Sequence, residues 1–214
     1  MPRVAFRLWL RPDPDGIETY VAGHLDPFPD LYDRIRSAGI RRYTIWLDGA
    51  DLLLTREGDD PTRGETLDMD DPVHRRWVDT MVPLFDERVA RDGPGHPREV
   101  FALDHDAEPG PAQMTYRAGL RSGSEAMEAV ASAYGAAPDD VVLALRAAGI
   151  RRQWTWVEDG SAWTYLECDD LDATEAALAA SAPYQSWSSA MSGCLDDRTR
   201  HEGRRRTREV FRCD

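Results

Sequence analysis

The chain has 214 residues, 42% of them hydrophobic, with a net charge of −13 and a pI near 4.8. That acidity opposes a phosphate backbone and argues against a nucleic-acid partner. All the basic side chains except histidine are arginine, so a Schiff-base lysine is excluded. Cys168, Cys194 and Cys213 are scattered and odd in number, which fits a reducing compartment and neither a disulfide framework nor a zinc site.

Val4, Phe6, Leu8 and Leu10 alternate with Arg7 and other residues in a strand pattern. Arg11-Pro12-Asp13-Pro14-Asp15-Gly16 breaks it, and Ile17, Tyr20, Val21 and His24 follow helical spacing. Pro29 can open a second helix carrying Leu31, Ile35 and Ala38, stopped by Gly39. Tyr43-Thr44-Ile45-Trp46-Leu47 reads as a strand, Asp48-Gly49-Ala50-Asp51 as a turn, and Leu52 to Arg56 as the returning strand. Asp71-Pro72 caps a long helix bearing Val73, Trp77, Met81 and Leu84, and Arg98 to Leu103 forms a closing strand.

The same text then returns 110 positions later. Ala38-Gly39-Ile40-Arg41-Arg42 recurs as Ala148-Gly149-Ile150-Arg151-Arg152, Trp77 and Met81 as Trp187 and Met191, and Arg98-Glu99-Val100-Phe101 as Arg208-Glu209-Val210-Phe211. About 25 identities fall on this offset over roughly 104 positions. The expected organisation is a unit over 1–104, a Pro- and Gly-rich linker over 105–111 and a divergent second unit over 112–214. The β-α-β-β-α-β order of each is ferredoxin-like, which gives an α+β class with an antiparallel sheet. Each sheet has a face its own helices leave bare, so the two units are expected to pack sheet to sheet as a fused dimeric α+β barrel, an intramolecular pseudo-dimer.

No phosphate loop, HExxH helix, nucleophile elbow or EF-hand loop is present. What remains is a cluster of polar and aromatic residues in unit one. Tyr20 and His24 stand i, i+4 on one helix face, Tyr43 begins a strand, and Arg76 and Trp77 share a later helix. The offset pairs His24 with Tyr134, Tyr20 with Val130, Tyr43 with Gln153 and Arg76 with Ser186, so four of these five differ between the halves. A structural role survives duplication more often than that, which points to unit one as the working half. Tyr134, Gln153, Trp154 and Trp187 could line a pocket in unit two, with core packing as the blander reading. The opening segment is too short and too broken by Arg for a signal peptide, and a cytoplasmic protein without a membrane partner is expected.

Unit one resembles the L-rhamnose mutarotase family. The resemblance rests on Arg3-Val4-Ala5-Phe6, Tyr20-Val21-Ala22-Gly23-His24, Pro29-Asp30-Leu31, Tyr43-Thr44-Ile45-Trp46-Leu47-Asp48, Arg75-Arg76-Trp77 with Met81, and Glu99-Val100-Phe101. It implies a metal-free and cofactor-free isomerase of the dimeric α+β barrel type, acting on a small sugar. His24 takes the family's proton-donor position, Tyr20 and Tyr43 take sugar-contacting positions, and Arg76 and Trp77 fall where the family has two adjacent tryptophans. Arg76 replaces a stacking plane with a five-donor cation, better matched to a carboxylate or polar oxygen. Two alternatives stay open: a cofactor-independent cyclase, isomerase or oxygenase of a secondary metabolite, by fold analogy, and a non-catalytic small-molecule or haem-binding barrel with His24 or His74 as axial ligand.

Overall fold

A computed structural model of the chain describes residues 1–27, 29–62, 70–104, 109–158 and 160–214. The expected linker at 105–111 therefore lies partly outside the described residues. The first repeat gives β1 (Arg3–Trp9), α1 (Pro14–Leu25), α2 (Pro29–Ser37), β2 (Ile40–Asp48), β3 (Asp51–Gly58), α3 (Pro72–Met81), α4 (Glu87–Asp92) and β4 (Arg98–Asp104). The second gives β5 (Ala112–Gly119), α5 (Ser124–Gly135), α6 (Asp139–Ala147), β6 (Ile150–Glu158), β7 (Ser161–Cys168), α7 (Leu171–Ala180), α8 (Ala182–Ala190), α9 (Asp197–Glu202), a short β8 (Arg205–Arg206) and β9 (Arg208–Cys213). The class is α+β, with two antiparallel sheets. No described helix is long and apolar enough to cross a membrane.

Local chemistry sets the element ends. The Asp13 carboxylate accepts from the Gly16 amide at 3.0 Å and opens α1, with Pro14 in its first turn. Asp71 caps α3 by accepting from the amides of Val73 and His74 at 2.8 and 3.3 Å. The helix expected to reach Leu84 stops at Met81, because Pro83 lacks an amide hydrogen and the chain tightens into a 3-10 turn over Val82–Leu84. Gly39 ends the α2 segment at φ +80° and Gly149 repeats the device at φ +87°, a backbone region costly for any residue with a Cβ.

The closing strands differ from expectation. The chain divides into one unit of 1–96 with 208–214 and another of 97–207, in place of a boundary at 104. The sheet of unit one runs β1-β3-β2-β9, and that of unit two β4-β6-β7-β5-β8. Each repeat's last strand thus completes the other repeat's sheet. In unit one β9 lies antiparallel to β2, with Tyr43 opposite Cys213 and Ile45 opposite Phe211. The reason no sequence pattern settles this is that both closing strands read Arg-Glu-Val-Phe, so either suits either sheet.

In unit one the alternation of β2 and β3 sends Ile45, Leu47, Leu52 and Leu54 to the helix-covered face. There they meet Tyr20 and Val21 of α1, Leu31 and Ile35 of α2, Met81 of α3 and Phe211 of β9. In unit two one cluster gathers Tyr116, Leu145, Ile150, Leu166 and Leu178, and another gathers Leu120, Val130, Val157 and Ala162.

Candidate active site

The site in unit one starts from α1. Its i, i+4 spacing brings the Tyr20 and His24 rings to 4.1 Å, tilted by 39°, and His24 lies only 5% exposed. The imidazole Nδ1 lies 2.8 Å from the Tyr20 carbonyl oxygen. A carbonyl can only accept, so Nδ1 carries the hydrogen and Nε2 is the nitrogen with a lone pair. Burial drives the pKa of His24 from 6.5 down to about 4, against the opposing pull of that carbonyl. The last turn of a helix favours a cation, yet desolvation wins, and the ring is neutral at pH 7.

Two other elements wall the imidazole, and a third stands beyond them. Trp77 from α3 meets it edge-on at 4.7 Å and 83°. Phe211 from β9 does so at 5.7 Å and 76°, and also touches Tyr43 at 5.5 Å and stacks on Tyr32 at 5.6 Å. Arg56 stands opposite Tyr43 in the β2–β3 register and lays its guanidinium over that ring at 4.8 Å and over Phe6 at 5.1 Å. Its Nε and Nη1 are buried and have no hydrogen-bond partner among the described residues. Arg34 also faces this region but is spent on an ion pair with Asp71. Together these residues border a cavity of about 120 Å³, lined by His24, Tyr43, Arg56, His74, Trp77 and Phe211 among others.

Of the residues singled out from sequence, His24, Tyr43 and Trp77 come together at this cavity. Tyr20 does not line it. It lies fully buried beneath His24, and burial, with Tyr43 nearby, pushes its hydroxyl well above the usual tyrosine range. Its part is to hold the imidazole through its ring and carbonyl. Arg76 is exposed on α3 and lies outside the cavity lining, because the helix turn that points Trp77 inward points its neighbour out. The arginines that do line the cavity are Arg34 and Arg56. Sequence reasoning missed Arg56 and Phe211, and named His74 only as a possible haem ligand. The repeat held a signal for the first, since Arg56 meets Leu166 at the same offset.

Among the described residues no group of three His, Cys, Asp or Glu side chains is disposed to hold a metal ion. The space beside His24 is far smaller than a porphyrin, and one imidazole nitrogen is already engaged by the Tyr20 carbonyl.

The burial of His24 makes stability depend on pH. Its folded pKa of about 4 lies below the unfolded value of 6.5, so the unfolded chain binds the extra proton between them. This contribution is fully present above pH 6.5 and is lost as pH falls through 4, amounting to about 3 kcal/mol. Urea unfolding at pH 7 and pH 4 should show that loss in the native chain, and His24→Gln should lose less by about the same amount. Equal acid sensitivity of the two would contradict a buried neutral imidazole.

Comparison with known proteins bears on unit one first. The family model for L-rhamnose mutarotase matches residues 3–103. An L-rhamnose mutarotase of Burkholderia ambifaria (strain MC40-6) is 37% identical over 81 residues, which is 36% of this chain and 74% of the relative. Across the whole chain the fold is similar to that of a candidate monooxygenase of Fusobacterium nucleatum subsp. nucleatum. The TM-score is 0.54 at 8% identity, covering 99% of this chain and 92% of that one. An anthrone oxidase-like protein matches with a TM-score of 0.51 at 12% identity, covering 98% and 92%. At these identities the likeness concerns the fold alone.

Proposed function

The chain belongs to the L-rhamnose mutarotase family, and from that premise we propose that unit one is a sugar mutarotase in which His24 moves the proton. The observation that carries this reading is a neutral imidazole at a cavity wall, its Nδ1–H tied to the Tyr20 carbonyl and its Nε2 left with a lone pair.

Anomer exchange needs a proton removed from the hydroxyl on C1 and a proton delivered to the ring oxygen. Both oxygens are bonded to C1, so one imidazole can serve both. Nε2 takes the proton from the anomeric hydroxyl as the C1–O bond to the ring oxygen breaks, and the electron pair of that bond goes to the ring oxygen. The imidazolium then returns the proton to that oxygen, giving the open-chain aldehyde. Rotation about C1–C2 and the reverse steps give the other anomer. Burial makes the imidazolium costly, so the proton is not retained. The family's proton-donor role thus becomes the second half of a cycle that begins with His24 as base.

Tyr43 and Trp77 offer aromatic walls for the sugar, and Arg56 offers N–H donors and a positive charge to a substituent away from C1. With Arg34 neutralised by Asp71, the charge of Arg56 favours a sugar bearing an acid group over a neutral deoxysugar. Exchange NMR on L-rhamnose and on a hexuronate tests the assignment. The expected result is acceleration of exchange, larger for the hexuronate, with Arg56→Met erasing that preference. No acceleration of either sugar would end the mutarotase reading. The rate should be constant from pH 6 to 8 and fall by half near pH 4, where His24 protonates. A rate that rises on acidification would instead require the imidazolium at the start.

A further inference from the structure

Unit two holds a larger cavity, about 390 Å³ against about 120 Å³ beside His24. The repeat explains the extra room. Leu52 and Leu54 lie in the core of unit one and Leu8 packs against it. Their counterparts at the 110 offset are Ala162, Thr164 and Ala118, and all three line the cavity. His24 is replaced there by Tyr134 and Pro94 by Arg204. Unit two has therefore lost the imidazole, emptied its centre and gained a cation.

The walls are aromatic. Tyr134 meets Trp187 edge-on at 4.8 Å and 88°, and Tyr184 lies 5.9 Å from Trp187. Gln153 and Trp154 are not part of the lining. Arg204 follows Gly203, whose φ of +80° ends α9, and lays its guanidinium over the Tyr116 ring at 4.2 Å. Glu175 is the carboxylate at the cavity edge, and it is engaged elsewhere. It accepts from the Tyr116 hydroxyl, and Arg206 binds it through Nε at 3.2 Å and Nη2 at 2.5 Å. Among the described residues no carboxylate forms an ion pair with Arg204. Burial works against its charge, but the oxygens of Tyr184, Tyr134, Tyr116 and Glu175 outweigh that and keep it a firm cation.

A half-buried guanidinium with no direct carboxylate partner among the described residues, its nearest carboxylate Glu175 held by Arg206, in a roomy aromatic cavity of a chain carrying −13, is an incomplete ion pair. We infer that unit two binds a small, flat monocarboxylic acid, its carboxylate on Arg204 and its conjugated body between the tyrosines and Trp187. One guanidinium balances one carboxylate in a forked pair, whereas a phosphate dianion would leave charge uncompensated. The volume lies in the range of small-molecule sites. This inference does not rest on the mutarotase reading.

The test is a calorimetric titration of the full chain with 2-naphthoate and with its uncharged counterpart 2-naphthamide, with tryptophan fluorescence followed in parallel. The acid is expected to bind at least roughly tenfold more tightly than the amide, as a charge-assisted forked pair requires. Arg204→Gln should weaken the acid by a similar factor. Ala162→Leu should block both compounds while keeping Arg204, and Arg56→Met, in the other cavity, should leave both unchanged. The inference is overturned by absent binding of the acid, by equal binding of acid and amide, or by loss of binding in Arg56→Met. The acid-to-amide ratio is read on the unaltered chain, so it stands even if Arg204→Gln fails to fold.

Discussion

His24→Gln is expected to fold as the native chain does and to lose catalysed anomer exchange by roughly 10²–10⁴-fold, the usual worth of a positioned acid–base group. Glutamine keeps much of the volume and can still donate its amide hydrogens to the Tyr20 carbonyl, so the packing between Tyr20 and Trp77 is retained. What it cannot do is cycle a proton. The measurement is exchange NMR at pH 7 on the sugar that the native chain accelerates most, with circular dichroism as the check on folding. A variant that keeps more than about a tenth of the native rate would remove His24 from the mechanism and leave Tyr43 as the next group to try.

Phe211→Ala should carry the largest stability cost at the site, about 3–5 kcal/mol, because a buried ring is removed from contact with His24, Tyr32 and Tyr43 at once. Exchange should fall more than tenfold, since the imidazole loses the wall that fixes its second face. The informative control is Phe101→Ala, its partner at the repeat offset. Phe101 packs in unit two, 5.6 Å from Tyr134, and should cost roughly 2 kcal/mol without slowing exchange. Chemical denaturation and exchange NMR on both variants check this. If Phe101→Ala silences the site while Phe211→Ala spares it, the strand pairing described for β4 and β9 is wrong.

That contrast shows where local reading reaches its limit. The strand and helix pattern of unit one is legible because it follows from periodicities of two and 3.6, from Asp13 and Asp71 as caps and from Gly39 as a stop. His24 and Tyr20 are legible as a pair because four residues make one helical turn. Which of them faces the cavity is another matter. Helical spacing aligns two side chains without saying that Tyr20 is sealed under the sheet-facing side and His24 stands at the cavity edge. Arg76 and Trp77 show the same gap from the other side, since adjacent helix positions diverge by about 100° and only packing decides which points inward.

Arg56 is the clearest case of a residue invisible until the fold is known. In sequence it is one charge after a run of leucines, easily read as the strand's solvated end. The β2–β3 register sets it against Tyr43, and the cavity gains a cation with two buried nitrogens unmatched among the described residues. The repeat comparison pointed at unit one through His24. It also carried the hint of a second cavity, because the same offset pairs Leu8, Leu52 and Leu54 with Ala118, Ala162 and Thr164.

The sequence by itself determined the duplication, the α+β class and family, the helix caps and the placement of His24 one turn from Tyr20. These depend on interactions within a few residues or on the chain compared with itself. Only the tertiary structure decided that β9 belongs to unit one, that Phe211 borders the cavity beside His24, that Arg56 lines that cavity and Arg76 does not, and that His24 is buried, which lowers its pKa. Each of those depends on burial and on partners distant along the chain, and two closing strands with the same four residues cannot declare which sheet they will join.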